Sequence, residues 1–515
     1  MNTANFLSLP ASMFGEQEIL VFGDHRATYD QLLGRVRKLA SALSLRGVGR
    51  GDRVAVLATN SHQYVEFYYA TAMVGGVFVP LNYRAKPNEL EHMIGKAEPT
   101  ILALEDRYEG ILENLGPGLP AMSRIAFGTV GGDPYEEVLA SGSGDFEEAE
   151  VEESDVSILM YTSGTTSLPK GVLLTYGDFT AYVVGTVDMA DGESRGAALN
   201  CVPLYHIAGA TNIMTSIWTG RKLVLLPQFD PEPWLATVER ESVTHAFVVP
   251  TMMKKILDAP AFGSTDLSSL TNLSYGGAPM PLPVIRRALD AFPDSVGFVN
   301  AFGQTETTST LTVLGPDDHR LTGDQGQDEK VLRRLTSIGR PLPDVEVKVV
   351  DPEGAALGPG ETGEILVRTA RVMKGYAGDV EGGARREDDG FLHTRDLGFV
   401  DEDGYVFLVG RADDMIIRGG ENIAPAEVEA VLQGHPAIEE VAVLGLPSEE
   451  WGQIVAAVVA LRSGAEAAPD ELGEYCRQRL ASFKKPEVFR FVEELPRNPL
   501  GKILRNDLRK LLAGD

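Results

Sequence analysis

A chain of 515 residues is too long for a single hydrophobic core and predicts two or more domains. Its 46 Lys/Arg against 74 Asp/Glu give a net charge of −28, which argues against a nucleic-acid binder and disfavours an anionic membrane surface. With 43% hydrophobic and 23% charged residues the composition is that of a globular protein, and no run of about eighteen apolar residues is present to span a bilayer.

In chain order, Met1 to Gly23 shows no basic segment ahead of an apolar one, so no export signal is expected. Residues 28–47 predict an amphipathic helix, with Leu32, Leu33, Val36, Leu39, Ala40 and Leu43 at helical spacing behind a Thr28 cap. A strand (53–57), a helix (61–73) and a strand (76–81) follow, an order that predicts a parallel, helix-covered sheet. The acidic stretch 142–155 reads as a surface connection into a strand at 156–161. Apolar β-type runs recur at 198–204, 222–226 and 245–249. Gly- and Pro-rich turns between Pro341 and Tyr405, around strands 345–350 and 364–367, suggest a small antiparallel β unit. After Arg411 the pattern becomes helix 425–432, strands 441–446 and 454–461 and helix 469–481, a compact α+β unit of about 100 residues. Cys201 and Cys476 are far apart and lack metal-ligand spacing, as expected of reduced, buried thiols in the cytoplasm.

Residues 161–171 carry the densest chemistry: Tyr161-Thr162-Ser163-Gly164-Thr165-Thr166-Ser167-Leu168-Pro169-Lys170-Gly171. Glycine lets the main chain approach a ligand, successive N–H groups form an anion-binding concavity, and Lys170 adds a point charge. The stretch therefore predicts a polyphosphate loop. It differs from the Walker pattern, since Pro169 precedes the lysine and Gly171 follows it. A polyphosphate on so acidic a chain requires positive charge concentrated locally. Residues 477–515 supply one such place, with ten Lys/Arg against five Asp/Glu.

The order of residues 161–171 resembles the phosphate loop of the adenylate-forming superfamily, which includes acyl-CoA synthetases, firefly luciferase and peptide-synthetase adenylation domains. Five further segments fall in the order that superfamily uses. The resemblance implies that Thr162, Ser163, Gly164, Thr165, Thr166 and Lys170 hold phosphates. It also implies that Ser274-Tyr275-Gly276-Gly277-Ala278-Pro279 forms the adenine turn, with Gly277, Ala278 and Pro279 at the base. Asn300-Ala301-Phe302-Gly303-Gln304-Thr305-Glu306 matches the next motif, with Phe302 where the family usually has tyrosine. There Asn300, Ala301, Phe302 and Gly303 line the nucleotide, Thr305 touches the α-phosphate and Glu306 holds Mg²⁺, a hard cation suited to carboxylate and phosphate oxygens. Asp396 and Arg411 fall where the family binds ribose, although the family more often has glycine at the Arg395 position. Asp413 matches the hinge, dividing an N-terminal domain 1–412 from a mobile domain 413–515.

Pro496-Arg497-Asn498-Pro499-Leu500-Gly501-Lys502 resembles the loop of the catalytic lysine, where a cation between carboxylate and α-phosphate offsets the repulsion of two anions. His206 matches the residue at the acyl pocket and thioester channel, and the other seven histidines show no metal or triad spacing. By motif alignment Ile207, Ala208, Val248, Val249, Gly276, Ala301 and Gly303 also line the acyl site. These are apolar or small, which favours a medium-chain, alicyclic or aromatic acid. For CoA the resemblance points to Arg418, Gly419 and Gly420, with Trp451, Phe483, Lys484, Lys485 and Arg84 around its nucleotide and phosphates. The implied fold is α/β, with a large domain of layered α/β subdomains and a small β unit, then a mobile α+β domain. The implied reaction uses ATP, Mg²⁺ and CoA, with no tightly bound prosthetic group. A CoA-independent adenylating enzyme, such as an amide-bond synthetase, and a relative that has lost catalysis stay open. So does the oligomeric state, a homodimer included.

Overall fold

The computed structural model describes residues 1–113, 115, 119–162, 168–378, 385–497 and 503–513. By internal contacts the chain divides into two units. The first comprises Met1–Leu335, Pro341–Val345 and Arg368–Arg385; the second comprises Thr336–Arg340, Glu346–Val367 and Arg386–Asp515.

In the first unit the helix expected after Thr28 runs Tyr29–Leu45. The Thr28 hydroxyl accepts from the Gln31 N–H while the Gln31 side chain accepts from the Thr28 N–H, satisfying two helix-end donors reciprocally. Its buried face (Leu32, Val36, Leu39, Leu43) packs beside helix His62–Met73, in a core that also takes Ile213, Ile217 and Trp218 of helix Ile207–Trp218. Two sheets carry the unit. In one, Arg53–Leu57 lies between Ile101–Leu104 and Val77–Pro80, and Val156–Thr162 follows Val77–Pro80, all parallel. Lys170–Thr175 and then Gly375–Tyr376 extend the same sheet antiparallel. The other sheet runs in spatial order Ser309–Leu314, Gly297–Gln304, Asn272–Gly276, His245–Val248, Ala197–Asn200, Lys222–Leu225, Glu18–Phe22 and His25–Thr28. Along this series the pairs Ser309–Leu314/Gly297–Gln304 and Glu18–Phe22/His25–Thr28 are antiparallel and the rest parallel. Strands of the parallel type are buried on both faces, which is why they read as continuous apolar runs.

The second unit begins with a sheet of Glu346–Val350, Gly363–Arg368, Leu392–Val400 and Val406–Arg411. It continues with the hairpin Ile416–Arg418/Glu421–Ile423 and a three-stranded sheet of Ile438–Ser448, Gly452–Leu461 and Val488–Val492. Helices Pro425–Gln433 and Pro469–Arg477 enclose a core of Ile416, Val428, Leu432, Val443, Val455, Leu472 and Cys476.

Three expectations change. The apolar run 198–204 is a strand only over Ala197–Asn200, because Asn60 then captures the backbone: its Nδ2 donates to Val202 O (2.9 Å) and its Oδ1 accepts from Leu204 N (3.0 Å). The helix expected over 469–481 ends at Arg477, and a short 3₁₀ turn follows at Ser482–Lys484. The stretch 341–405 is not one β unit, since Arg368–Arg385 returns to the first unit and places Gly375–Tyr376 beside Lys170–Thr175. Both cysteines are buried; burial pushes the Cys201 thiol up to about 12 and the Cys476 thiol up to about 11, which makes them poor nucleophiles. Among the described residues no helix is long and apolar enough to cross a membrane.

Candidate active site

Two buried strands flank the candidate phosphate loop. Val156–Thr162 leads in and Lys170–Thr175 leads out, with Thr162 directly opposite Lys170. The Tyr161 hydroxyl anchors the incoming strand by donating to Met93 O at 2.9 Å. Ser163, Gly164, Thr165 and Thr166 lie outside the described residues, as does Lys502. Lys170 makes no ion pair among the described residues; its Nζ stands 5.4 Å from the centre of the Tyr376 ring.

Tyr376 links two motifs. Its hydroxyl donates to Glu306 Oε1 at 2.9 Å, and Met373 N–H donates to Glu306 O at 2.9 Å. Lys170 and Glu306, the two residues expected at the phosphates and the cation, therefore share one aromatic neighbour. Tyr376 is absent from the sequence-derived site because a Gly-Tyr dipeptide carries no chemical pattern, and its strand partner is some two hundred residues earlier.

The turn bearing Glu306 is held in an unusual conformation. Thr308 (φ 49°) and Ser309 (φ 83°) are consecutive non-glycine residues in the left-handed region, which costs about 1–2 kcal/mol each. Arg371, fully buried, offsets this by bracing the turn. It donates to Thr310 O (2.7 Å) and Thr307 O (3.3 Å) while pairing with Asp344 at 2.7 Å. Partial burial pushes the Asp344 carboxyl up, but the Arg371 hydrogen bonds outweigh it and hold the group below its ordinary range.

The adenine and nucleotide motifs lie on adjacent parallel strands, with Tyr275 opposite Asn300 and Gly276 opposite Ala301. A Cβ on Gly276 would sit 2.2 Å from Ala301 O, so only glycine fits this approach, and Gly277 has φ +77°. At Gly303, beside a register shift after Phe302, a Cβ would fall 1.7 Å from Ser309 O. Val248 and Val249 are fully buried, and a Cβ on Gly277 would lie 3.5 Å from the Val249 Cγ1 methyl.

His206 caps helix Ile207–Trp218, its carbonyl accepting from Gly209 N and Ala210 N. Its ring lies 4.3 Å from Tyr205, which meets Tyr83 edge-on at 5.2 Å, with the Arg84 guanidinium over Tyr83. Nε2 is buried with no partner among the described residues. Burial, with Arg84 adding repulsion, lowers the imidazole to about 3, so the ring is neutral at working pH and acts by shape and hydrogen bonding rather than charge.

In the second unit Asp396 and Arg411 are cross-strand partners, with Arg411 Nη1 3.3 Å from the buried Asp396 Oδ1. Arg395 has φ +62°, a left-handed backbone that glycine adopts without steric cost. Its N–H donates to Glu364 (3.1 Å) and its guanidinium pairs with Asp413 (3.3 Å). Arg418, Gly419, Trp451 and Phe483 are brought together. Arg418 lies over the Trp451 ring and donates to Phe483 O (2.7 Å), Gly419 N–H donates to Trp451 O (2.8 Å), and a Cβ on Gly419 would press on the indole at 3.0 Å. Gly419 and Gly420 both have positive φ. Trp451 is 43% exposed and thus no core residue. Lys484, expected at the CoA phosphates, has its Nζ held at 2.7 Å by both oxygens of Glu427. Lys485 makes no such pair among the described residues.

Known proteins resemble the chain over most of its length. Two family models match, the AMP-binding enzyme over residues 9–377 and the AMP-binding enzyme C-terminal domain over residues 427–502. A feruloyl-CoA synthase of Amycolatopsis sp is 38% identical, covering 95% of this chain and 94% of its own. The o-succinylbenzoate CoA synthetase of Bacillus subtilis, solved with its acyl-adenylate intermediate, is 30% identical with TM-score 0.83 over 98% of each chain. An amide bond synthetase of Marinactinospora thermotolerans is 30% identical with TM-score 0.86, over 99% of this chain and 100% of its own. The chain belongs to the AMP-binding enzyme family, the adenylate-forming enzymes that its phosphate loop resembles.

Proposed function

We propose that the protein is an ATP-dependent carboxylate–CoA ligase working through an acyl-adenylate. In the first half-reaction a carboxylate oxygen attacks the α-phosphorus of ATP and pyrophosphate leaves. In the second the CoA sulfur attacks the acyl carbon, AMP leaves and the thiol proton is released. The observation that carries this reading is Tyr376, which holds Glu306 while presenting its ring face to Lys170.

In this reading Thr162, the loop 163–166, Lys170 and Thr305 bind the phosphates, Gly277, Ala278 and Pro279 take adenine, and Asp396 with Arg411 takes ribose. Lys502 neutralises the approach of carboxylate to α-phosphate. Mg²⁺ fits Glu306, a half-buried carboxylate with one oxygen oriented by Tyr376, and when bound it supplies charge neutralisation to the phosphates. Residues 413–515 turn about Asp413 between the half-reactions, so that the Lys502 loop serves the first and the Arg418–Gly420 segment with Trp451 and Lys485 serves CoA in the second. Glu427 competes for Lys484, which makes Lys485 the better placed of the two for a CoA phosphate.

The acid is hydrophobic, and an aromatic one is favoured. Ile207, Ala208 and the neutral His206 offer no cation to a second carboxylate, and the similar feruloyl-CoA synthase is named for an aromatic acid. A panel of aromatic, alicyclic, medium-chain and dicarboxylic acids assayed for pyrophosphate release tests this. Hydrophobic monoacids should lead, and a strict preference for a dicarboxylate would overturn it. The amide bond synthetase likeness favours one second reading, the same adenylation followed by transfer to an amine.

A further inference from the structure

The fully buried Arg371 directs its whole guanidinium at the surroundings of the Glu306 turn. Nη1 donates to Thr307 O (3.3 Å) and Thr310 O (2.7 Å), the carbonyls on either side of the left-handed pair Thr308 and Ser309. Nε and Nη2 donate to the two oxygens of Asp344 (2.7 and 3.2 Å), and the Thr369 hydroxyl donates to the same carboxylate at 3.1 Å. The guanidinium also lies over the Tyr182 ring, 5.2 Å from its centre, and the Tyr182 hydroxyl is 3.4 Å from Thr310 Oγ1. The chain leaves the first unit after Val345 and returns to it at Arg368. Asp344 and Arg371 therefore stand at the two ends of that excursion, and their bidentate pair clips the ends together beside the turn. Met373 and Tyr376, just beyond Arg371, bond the Glu306 carbonyl and carboxylate.

A buried guanidinium is a costly way to fill a core, and an apolar side chain of similar volume packs as well. What the apolar side chain lacks is a planar fork of donors that reaches a carboxylate on one edge and two carbonyls on the other. Strained backbone persists only where its surroundings over-determine it. Thr308 does not hold itself, since its hydroxyl is buried without a partner among the described residues. The grip on the left-handed pair comes from Arg371. From this geometry we propose that Arg371 is a positioning residue for adenylation. By holding the carbonyls on both sides of the left-handed pair it fixes where the Glu306 carboxylate stands, and so sets the affinity of the site for a divalent cation. The proposal rests on the reading of Glu306 as the Mg²⁺ ligand, and Arg371 acts through the turn rather than on the substrate.

The test uses the full-length protein and Arg371→Lys, which keeps the positive charge and loses the fork. Without ligands, amide hydrogen exchange should quicken at least about tenfold at residues 304–310 and at Met373, while helix Tyr29–Leu45 keeps its protection. Binding of Mn²⁺ with α,β-methylene ATP, followed by electron paramagnetic resonance, should weaken about tenfold, the lower end for partners that orient a metal's ligand. Adenylation should need more Mg²⁺ by a similar factor, with KM for the acid unchanged. Thioester formation from presynthesised acyl-adenylate should keep its rate. Unchanged Mn²⁺ affinity overturns the proposal whatever the exchange shows. So does a loss shared by helix protection, acid KM and both half-reactions, which would mark Arg371 as a core residue only. Should Arg371→Lys fail to fold, Asp344→Asn, which frees the fork from its anchor, is read in the same way. Glu306→Gln is the reference: if it too leaves Mn²⁺ affinity unchanged, the metal assignment has failed and the proposal with it. A wild-type protein that binds Mn²⁺ with the nucleotide but releases no pyrophosphate with any acid contradicts the ligase reading alone, and exchange and Mn²⁺ affinity still decide the role of Arg371.

Discussion

Tyr376→Phe isolates the contact on which the functional assignment leans. The substitution keeps the ring face toward Lys170 and deletes only the hydroxyl that donates to Glu306 at 2.9 Å. A hydrogen bond to a charged group contributes about 1.5–3 kcal/mol. Both residues are half-buried, which selects the lower part of that range, about 1.5–2 kcal/mol, or about 10- to 30-fold in rate. The loss should fall on adenylation, read as acid-dependent pyrophosphate release, with a higher Mg²⁺ requirement. Thioester formation from presynthesised acyl-adenylate should keep its rate. Tyr376→Leu, which also removes the ring over Lys170, should cost a further factor of about 2–5, as expected for a partly exposed cation–π contact of about 0.5–1 kcal/mol. Full adenylation in Tyr376→Phe with an unchanged Mg²⁺ titration, or equal losses in both half-reactions, would refute the coupling of Glu306 to the phosphate loop.

Lys502→Ala should lower adenylation by about 10²–10³ and spare thioester formation from the adenylate; comparable losses in both steps contradict its role. Gly303→Ala drives a Cβ to 1.7 Å from Ser309 O, so a backbone shift costing about 1–3 kcal/mol or more should lower the thermal midpoint, and an unchanged midpoint refutes the close approach. His206 bears on acid stability. Its folded value of about 3 lies below the ordinary 6.5, so the unfolded chain binds the extra proton, and the stability from keeping it neutral is present above pH 6.5 and lost as pH falls from 6.5 toward 3. The destabilisation by His206→Gln, measured in denaturant, should therefore shrink by up to about 2 kcal/mol between pH 7 and pH 5; a constant difference means the ring is not held neutral.

Much of this architecture is legible in the sequence wherever the signal is local. The Thr28 cap and the 3.6-residue spacing behind it locate helix Tyr29–Leu45, and an unbroken apolar run locates the strand that feeds the phosphate loop. Signals fail where a distant residue intervenes. Asn60 ends the strand at Asn200 through hydrogen bonds to residues more than 140 positions away. Tyr376 and Arg371 enter the site region because residues 368–385 fold back onto the first unit, and neither residue type advertises that. Arg395 departs from the family pattern in residue type yet keeps the left-handed backbone that glycine ordinarily provides, with partners in Glu364 and Asp413.

The central claim is that CoA consumes the adenylate. Isolated wild-type protein charged with its best acid and ATP, with pyrophosphatase present, should hold acyl-adenylate that is chased within single turnovers by CoA. Thioester and AMP should then appear in equal amounts, while amines at the same concentration leave the adenylate intact. An adenylate that survives CoA but disappears into amide on addition of an amine would contradict the ligase assignment and establish the amide-forming reading instead.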